Sequence, residues 1–219
     1  MRRGSHRYEP ERARWPFVVG IVVALAVVGV AVWYLLFQEG APLGEEERGV
    51  PDFSFKLGKV GGSAVAERAP EETIRRATRG VRTTLDAMFV AGFVDPAKWQ
   101  NATYPEVLEA FEEGTRDDAG ANIHHFSLGG ESGRVAFVEP RTGRLSVRFL
   151  IDAEGVPTGA VARTTFAAGG ELRSGRPIDV IHHGVWYMRP DGRRWLVAGY
   201  DVEGAVGLAS AGAQGGATP

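Results

Sequence analysis

The stretch "VIHHGVWYMRPDGRRWLVAGYDVEG", Val180 to Gly204, decides how the second half of this chain is read. Apolar and polar residues alternate on either side of "RPDG", the pattern of strands that each bury one face. Proline and glycine between the two runs mark a tight turn. The segment reads as a β-hairpin. Upstream, "RVAFVE" and "RLSVRFLID" read as another hairpin through "PRTG". "GAVARTTFAA" is a long strand rich in β-branched residues, and "NIHHFSL" a further strand. Strands spaced this closely by short Gly-rich turns imply an antiparallel meander.

The hairpin carries His182 and His183, and a second doublet, His124 and His125, lies in "NIHHFSL". Adjacent residues of a strand point to opposite faces. Neither doublet can therefore offer both rings to one ion. A metal site would need one histidine from each pair and a carboxylate, and the spacing shows no such set; no metal and no cofactor is expected. The turn has two readings. With a three-residue loop, Arg189 faces Arg193, His182 lies opposite Tyr200, and His183 lies diagonal to Asp201. With "DG" as a two-residue loop, His182 faces Asp201 and His183 faces Tyr200. Both place one histidine near Asp201 and the other near Tyr200. His182, His183, Tyr187, Tyr200 and Asp201 thus form the candidate pocket. A histidine beside a carboxylate can serve as a general base. The expected role is nevertheless structural, with Asp201 as a register-fixing partner, and no catalytic residue is assigned. Trp99, Trp186 and Trp195 are expected in the core.

Helices precede the strands. In "APEETIRRATRGVRTTLDAMFVAG", Ile74, Ala77, Val81, Leu85, Met88 and Phe89 recur at helical spacing. Arg75, Arg76, Arg79 and Arg82 take the opposite face. Pro70 suits the helix start, and Glu71 and Glu72 suit the positive end of its dipole. Gly92 and "VDPAKW" end it. "TYPEVLEAFEEG" starts a second helix, with Thr103 and Glu106 as a capping box. "NAT" at Asn101 to Thr103 matches a glycosylation sequon, to which no weight is attached. Helices first and sheet second give an α+β domain over residues 70–203, with the helices on one sheet face.

The front of the chain has another character. From Pro16 to Phe37, "PFVVGIVVALAVVGVAVWYLLF" holds no charged residue. A run of about 20 apolar residues crosses a bilayer core as a helix. Trp15, Trp33 and Tyr34 stand at its ends, where amphipathic rings favour the interface. Signal-peptide cores are shorter and end in small residues; this run ends in "WYLLF", so an uncleaved anchor is expected. Five arginines precede it, and Glu39, Glu45, Glu46 and Glu47 follow it. The excess of basic residues places residues 1–15 in the cytoplasm and the rest of the chain outside the cell membrane. Gly20 and Ala24, four apart, suit close approach of two such helices, and hence a homo-oligomer. Residues 38–69 read as a stalk, in which "PDFSFKLGKV" sets Phe53, Phe55 and Leu57 on one face as a short added strand. Residues 204–219 are small and featureless and read as a disordered tail.

Composition closes off several classes. The chain has 219 residues, net charge −2 and no cysteine. Disulfides, thiolate catalysis and iron–sulfur clusters are excluded, and the charge balance does not suggest nucleic acid. No GxSxG, HExxH, P-loop, GxGxxG or EF-hand motif occurs.

Helices, the "DPAKW" turn and a sheet closing in "RWLVAGYDVEG" together resemble the NTF2-like (cystatin-like roll) superfamily. With the anchor in front, the chain is similar to Mce-associated, VirB8-like and TcpC-like membrane proteins. Its Ala, Gly and Arg richness suits a high-GC actinobacterium. The resemblance implies a single-pass protein whose extracytoplasmic domain assembles with other envelope proteins. It also implies an alternative, a small-molecule-binding or acid–base enzyme domain with a cavity near His182, His183 and Asp201.

Overall fold

The computed structural model describes residues 49–62, 69–99 and 103–208. The expected cytoplasmic tail, membrane span, first part of the stalk, Asn101 of the sequon and the last eleven residues of the chain lie outside them. Among the described residues, no helix is long and apolar enough to cross a membrane.

Strand β1 (Lys56–Gly62) comes first, then helix α1 (Glu71–Phe89). Pro70 caps α1 from outside, and its carbonyl accepts from the amides of Thr73 and Ile74. Ala77, Val81, Leu85, Met88 and Phe89 are buried as the spacing requires, while Arg75, Arg76 and Arg79 are exposed. The helix does not stop at Gly92. It widens into a π-helical turn, Val90–Val94, which carries Phe93 and Val94 into the core. Gly92 permits this, because a Cβ there would lie 2.1 Å from the Phe126 carbonyl oxygen. Asp95 then caps a short 3-10 turn, Pro96–Lys98, by accepting from the Ala97 amide.

The second helix is only one turn, α2 (Pro105–Leu108), and the expected capping box is absent. Tyr104 stands at the cap with φ 46°, a left-handed conformation rare for a large side chain. Burial holds it there: the ring is fully enclosed and its hydroxyl donates to the Gly129 carbonyl. Glu106 turns instead to Lys98, 2.8 Å away. A separate helix, α3 (Glu113–Ala121), follows.

The sheet has five strands in the order of the chain: β1, β2 (Val135–Ile151), β3 (Pro157–Leu172), β4 (Pro177–Asp191) and β5 (Arg194–Leu208). β2 to β5 form the antiparallel meander, and β1 adds parallel to the outer side of β2. Two strand assignments change. "PRTG" is not a turn: β2 runs through it, with Arg141 bulged out opposite the Ala167–Ala168 step of β3. A sixteen-residue β3 offers partners along the whole length, so one bulge costs less than ending the ladder. "IHH" is not strand either but a 3-10 turn, Ile123–His125, lying against β5.

One sheet face is covered by the helices. Phe55, Phe89, Phe93, Phe111, Phe126, Phe149, Phe166 and Trp186 fill the space between the layers. Each such side chain contributes about 1.5–3 kcal/mol on burial. Phe55 belongs to this core and Phe53 packs on it, so the domain starts near Gly49, inside the expected stalk. Leu57, on the same strand face, stays 44 % exposed at the sheet edge. At the other end β5 continues to Leu208, past the expected limit at 203, because β4 supplies partners as far as Ile178.

Candidate functional site

The closing hairpin turns later than either reading of "RPDG" allows. Arg189 and Pro190 are still in β4, facing Leu196 and Trp195, and Asp191 faces Arg194. The loop is Gly192–Arg193, with Gly192 at φ +58°. One residue more is taken up by a bulge at Ala198, between the pairs Met188 with Val197 and Tyr187 with Gly199. The bulge has a cause in the helical layer: Val197 bridges to Phe111, its amide donates to the Ala110 carbonyl, and its own carbonyl accepts from the Glu112 amide.

These shifts give the candidate residues new partners. His182 lies opposite Gly204 and His183 opposite Glu203, while Asp201 faces Val185. His182 and Tyr200 point into the core layer. His183, Tyr187 and Asp201 are exposed on the outer sheet face. Neither histidine lies directly opposite Asp201, but Asp201, two residues from Glu203, is diagonal to His183 on the outer face, as the three-residue reading of the turn expects.

His182 sits among aromatic rings. It stacks on Trp186 at 5.8 Å between centroids and meets Phe89 edge-on at 4.9 Å and Phe93 at 5.7 Å. Its Nε2 lies 3.0 Å from the His125 carbonyl oxygen. This contact joins the two doublets through backbone, not through a shared ion. Nδ1 is buried without a hydrogen-bond partner among the described residues. With Nε2–H donating to the carbonyl, Nδ1 is the acceptor of a neutral ring. Burial, above all, pushes the His182 pKa down to about 4, helped by the charges of His183 and His125 and opposed by the hydrogen bond to His125. A ring held neutral, enclosed and touching apolar partners has the setting of a core residue.

Tyr200 has another environment. Its ring meets Phe126 at 4.7 Å and Phe111 at 5.8 Å. Its hydroxyl donates to the Asp118 carboxylate and accepts from Asn122. Partial burial and the neighbouring carboxylate raise its pKa. The group ties α3 to β5. Trp186 is satisfied in a similar way, its Nε1 donating to Thr164 Oγ1 at 2.9 Å. Trp99, Trp186 and Trp195 are all buried, as expected. Among the described residues no group of three or more His, Asp or Glu side chains could hold a metal ion.

A concentration of positive charge lies elsewhere, in a groove of about 620 Å³ between α1 and the tip of the β4–β5 hairpin. Arg76, Arg79, Arg193 and Arg194 line it, with Lys98 beside α2. Arg76, Arg79 and Arg193 make no ion pair among the described residues, and Arg194 donates only to the Glu109 carbonyl. Two contacts hold the walls together. Thr84 Oγ1 donates to the Trp195 carbonyl at 2.7 Å, and Gly80 lets the Trp195 indole approach so closely that a Cβ would lie 2.6 Å from it. The arginine spacing on α1 was visible in the sequence. The partners from the hairpin tip were not, because nothing local ties residue 193 to residue 76.

Comparison of the chain with protein-family models, with curated proteins and with solved structures finds no match in any of the three.

Proposed function

We propose that this chain is a single-pass, membrane-anchored protein whose C-terminal domain works outside the cell membrane as a non-catalytic interaction module of a cell-envelope assembly. The observation that carries this reading is the filling of the domain interior. In an NTF2-like roll a ligand or substrate would lie between sheet and helices. Here that space holds Phe89, Phe93, Phe126, Phe166 and Trp186, packed ring against ring. His182, the residue best suited to acid–base work, is enclosed by them and carries no carboxylate partner among the described residues. The parts left to act are on the surface, and the groove between α1 and the hairpin tip is cationic.

The anchor supports the location. Residues 16–37 form one uncharged apolar run with arginines before it and glutamates after it. Affinity purification of the tagged full-length protein from detergent-solubilised membranes, at native expression, tests the assembly role. Recovery with stoichiometric envelope proteins is the expected result; recovery as a lone monomer overturns the reading. Topology is tested separately with C-terminal reporter fusions. An extracytoplasmic reporter should be active, and activity of a cytoplasm-only reporter would reverse the orientation.

A further inference from the structure

We infer that the groove between α1 and the hairpin tip binds an acidic peptide segment of a partner protein. The inference rests on the interaction role proposed above and names the chemistry of the contact. Charge complementarity is the first argument. The groove is lined by Arg76, Arg79, Lys98, Arg193 and Arg194 against Glu106 and Glu109. Lys98 already neutralises Glu106. A net positive trough therefore stands on a chain whose overall charge is −2. Guanidinium groups with no protein carboxylate are donors in fixed forks, suited to incoming carboxylates.

Shape is the second argument. The lining runs along α1 from Arg76 to Ala91. At 1.5 Å per residue that is about 22 Å, the span of some six or seven extended residues. Besides the arginines the lining holds the small residues Gly80, Ala87, Ala91 and Ala110, which leave room for a single peptide chain to lie along α1 and meet the guanidinium groups with its carboxylates. The space beside Gly80 is set by Trp195, which a Cβ there would strike, and by Thr84, which pins the hairpin tip.

The test uses full-length protein in a zwitterionic detergent and a fluorescein-labelled acidic nonapeptide, GELEEAELG, read by fluorescence anisotropy. The lysine counterpart GKLKKAKLG is the control. The acidic peptide should bind, more weakly as salt rises, and the lysine peptide should not. The double variant Arg76→Glu with Arg193→Glu should weaken binding about tenfold or more. The double variant Arg173→Glu with Arg176→Glu, on the turn at the opposite end of the hairpin strands, changes the net charge equally and should leave binding unchanged. All three proteins should melt at the same temperature, because the altered residues are exposed. Equal weakening by both double variants, or no binding of the acidic peptide, overturns the inference. So does a groove variant that loses binding to phosphatidylglycerol vesicles but not to the peptide, which would assign the groove to lipid head groups. Failure here with intact copurification removes the groove and leaves the assembly role. Peptide binding by a protein that copurifies with nothing removes the assembly role and leaves the groove.

Discussion

Around His182 the domain surrounds one polar ring with aromatic ones; beside α1 it leaves three guanidinium groups to the solvent. The histidine, expected in a structural role, proves to be enclosed. Of the arginines opposite the apolar face of α1, Arg76 and Arg79 prove to line a groove. The difference lies in what each group gives up. Desolvating the imidazole is tolerable because it can shed its proton. An arginine has no such escape, so it remains exposed and free for a partner. Stability should follow the first region, and binding the second.

The strongest way to break that contrast is Trp186→Ala. It removes the ring that stacks on His182 and leaves Thr164 without its donor, so it should cost about 3–5 kcal/mol. Urea denaturation of the purified protein followed by circular dichroism will measure it. A loss under about 1 kcal/mol would mean that the interior is loosely packed and able to admit a ligand.

Acid comes next. The folded His182 pKa lies near 4, below the unfolded value of 6.5. Its neutral form is favoured by folding, so its contribution is fully present above pH 6.5 and is lost as pH falls towards 4. The loss is on the order of 3 kcal/mol. Unfolding curves at pH 7, 5.5 and 4.5 should show a decline that His182→Leu flattens. An equal decline in the variant would assign the acid sensitivity to other groups.

A smaller effect is expected from Thr164→Val. It keeps the shape of the β3 residue and leaves the Trp186 indole N–H unpaired in the core. The cost should be about 1–3 kcal/mol, with the pH dependence of the wild type retained. At the bottom of the scale, Arg76→Ala with Arg79→Ala should change stability by no more than about 0.5 kcal/mol. A larger drop in the same melts would show that the groove arginines belong to the fold and not to binding.

Much of the architecture was legible. The register of apolar residues on α1 was correct from Ile74 to Phe89, because a 3.6-residue period needs no knowledge of partners. β3, β4 and β5 announced themselves by alternation and β-branched residues. Three local signals misled. "PRTG" has turn composition, yet the long β3 overrides it and leaves only a bulge at Arg141. Thr103 and Glu106 match a capping box, yet burial of Tyr104 sets that cap. "NIHHFSL" alternates like a strand, yet it folds as a 3-10 turn over the sheet, where the His125 carbonyl meets His182.

The partners of the candidate residues changed for a related reason. They were chosen from a hairpin register, and any slip of register gives every member a new partner. The turn at Gly192–Arg193 and the bulge at Ala198 together set Gly204 opposite His182 and Glu203 opposite His183, with Asp201 diagonal to His183. That bulge answers to Phe111, which bridges to Val197 from the helical layer, and no pattern within the hairpin reports it.

By itself the sequence determined the expectation of an apolar anchor, the order of helices and sheet, the face that α1 buries, and the absence of cysteine chemistry. These depend on composition and on periods of two or 3.6 residues, which neighbours along the chain display. Only the tertiary structure decided that His182 is enclosed, that His183 and Asp201 stay outside, and that Arg76 and Arg193 share a groove. Those outcomes depend on which distant backbone atoms compete for the same hydrogen bonds and the same space.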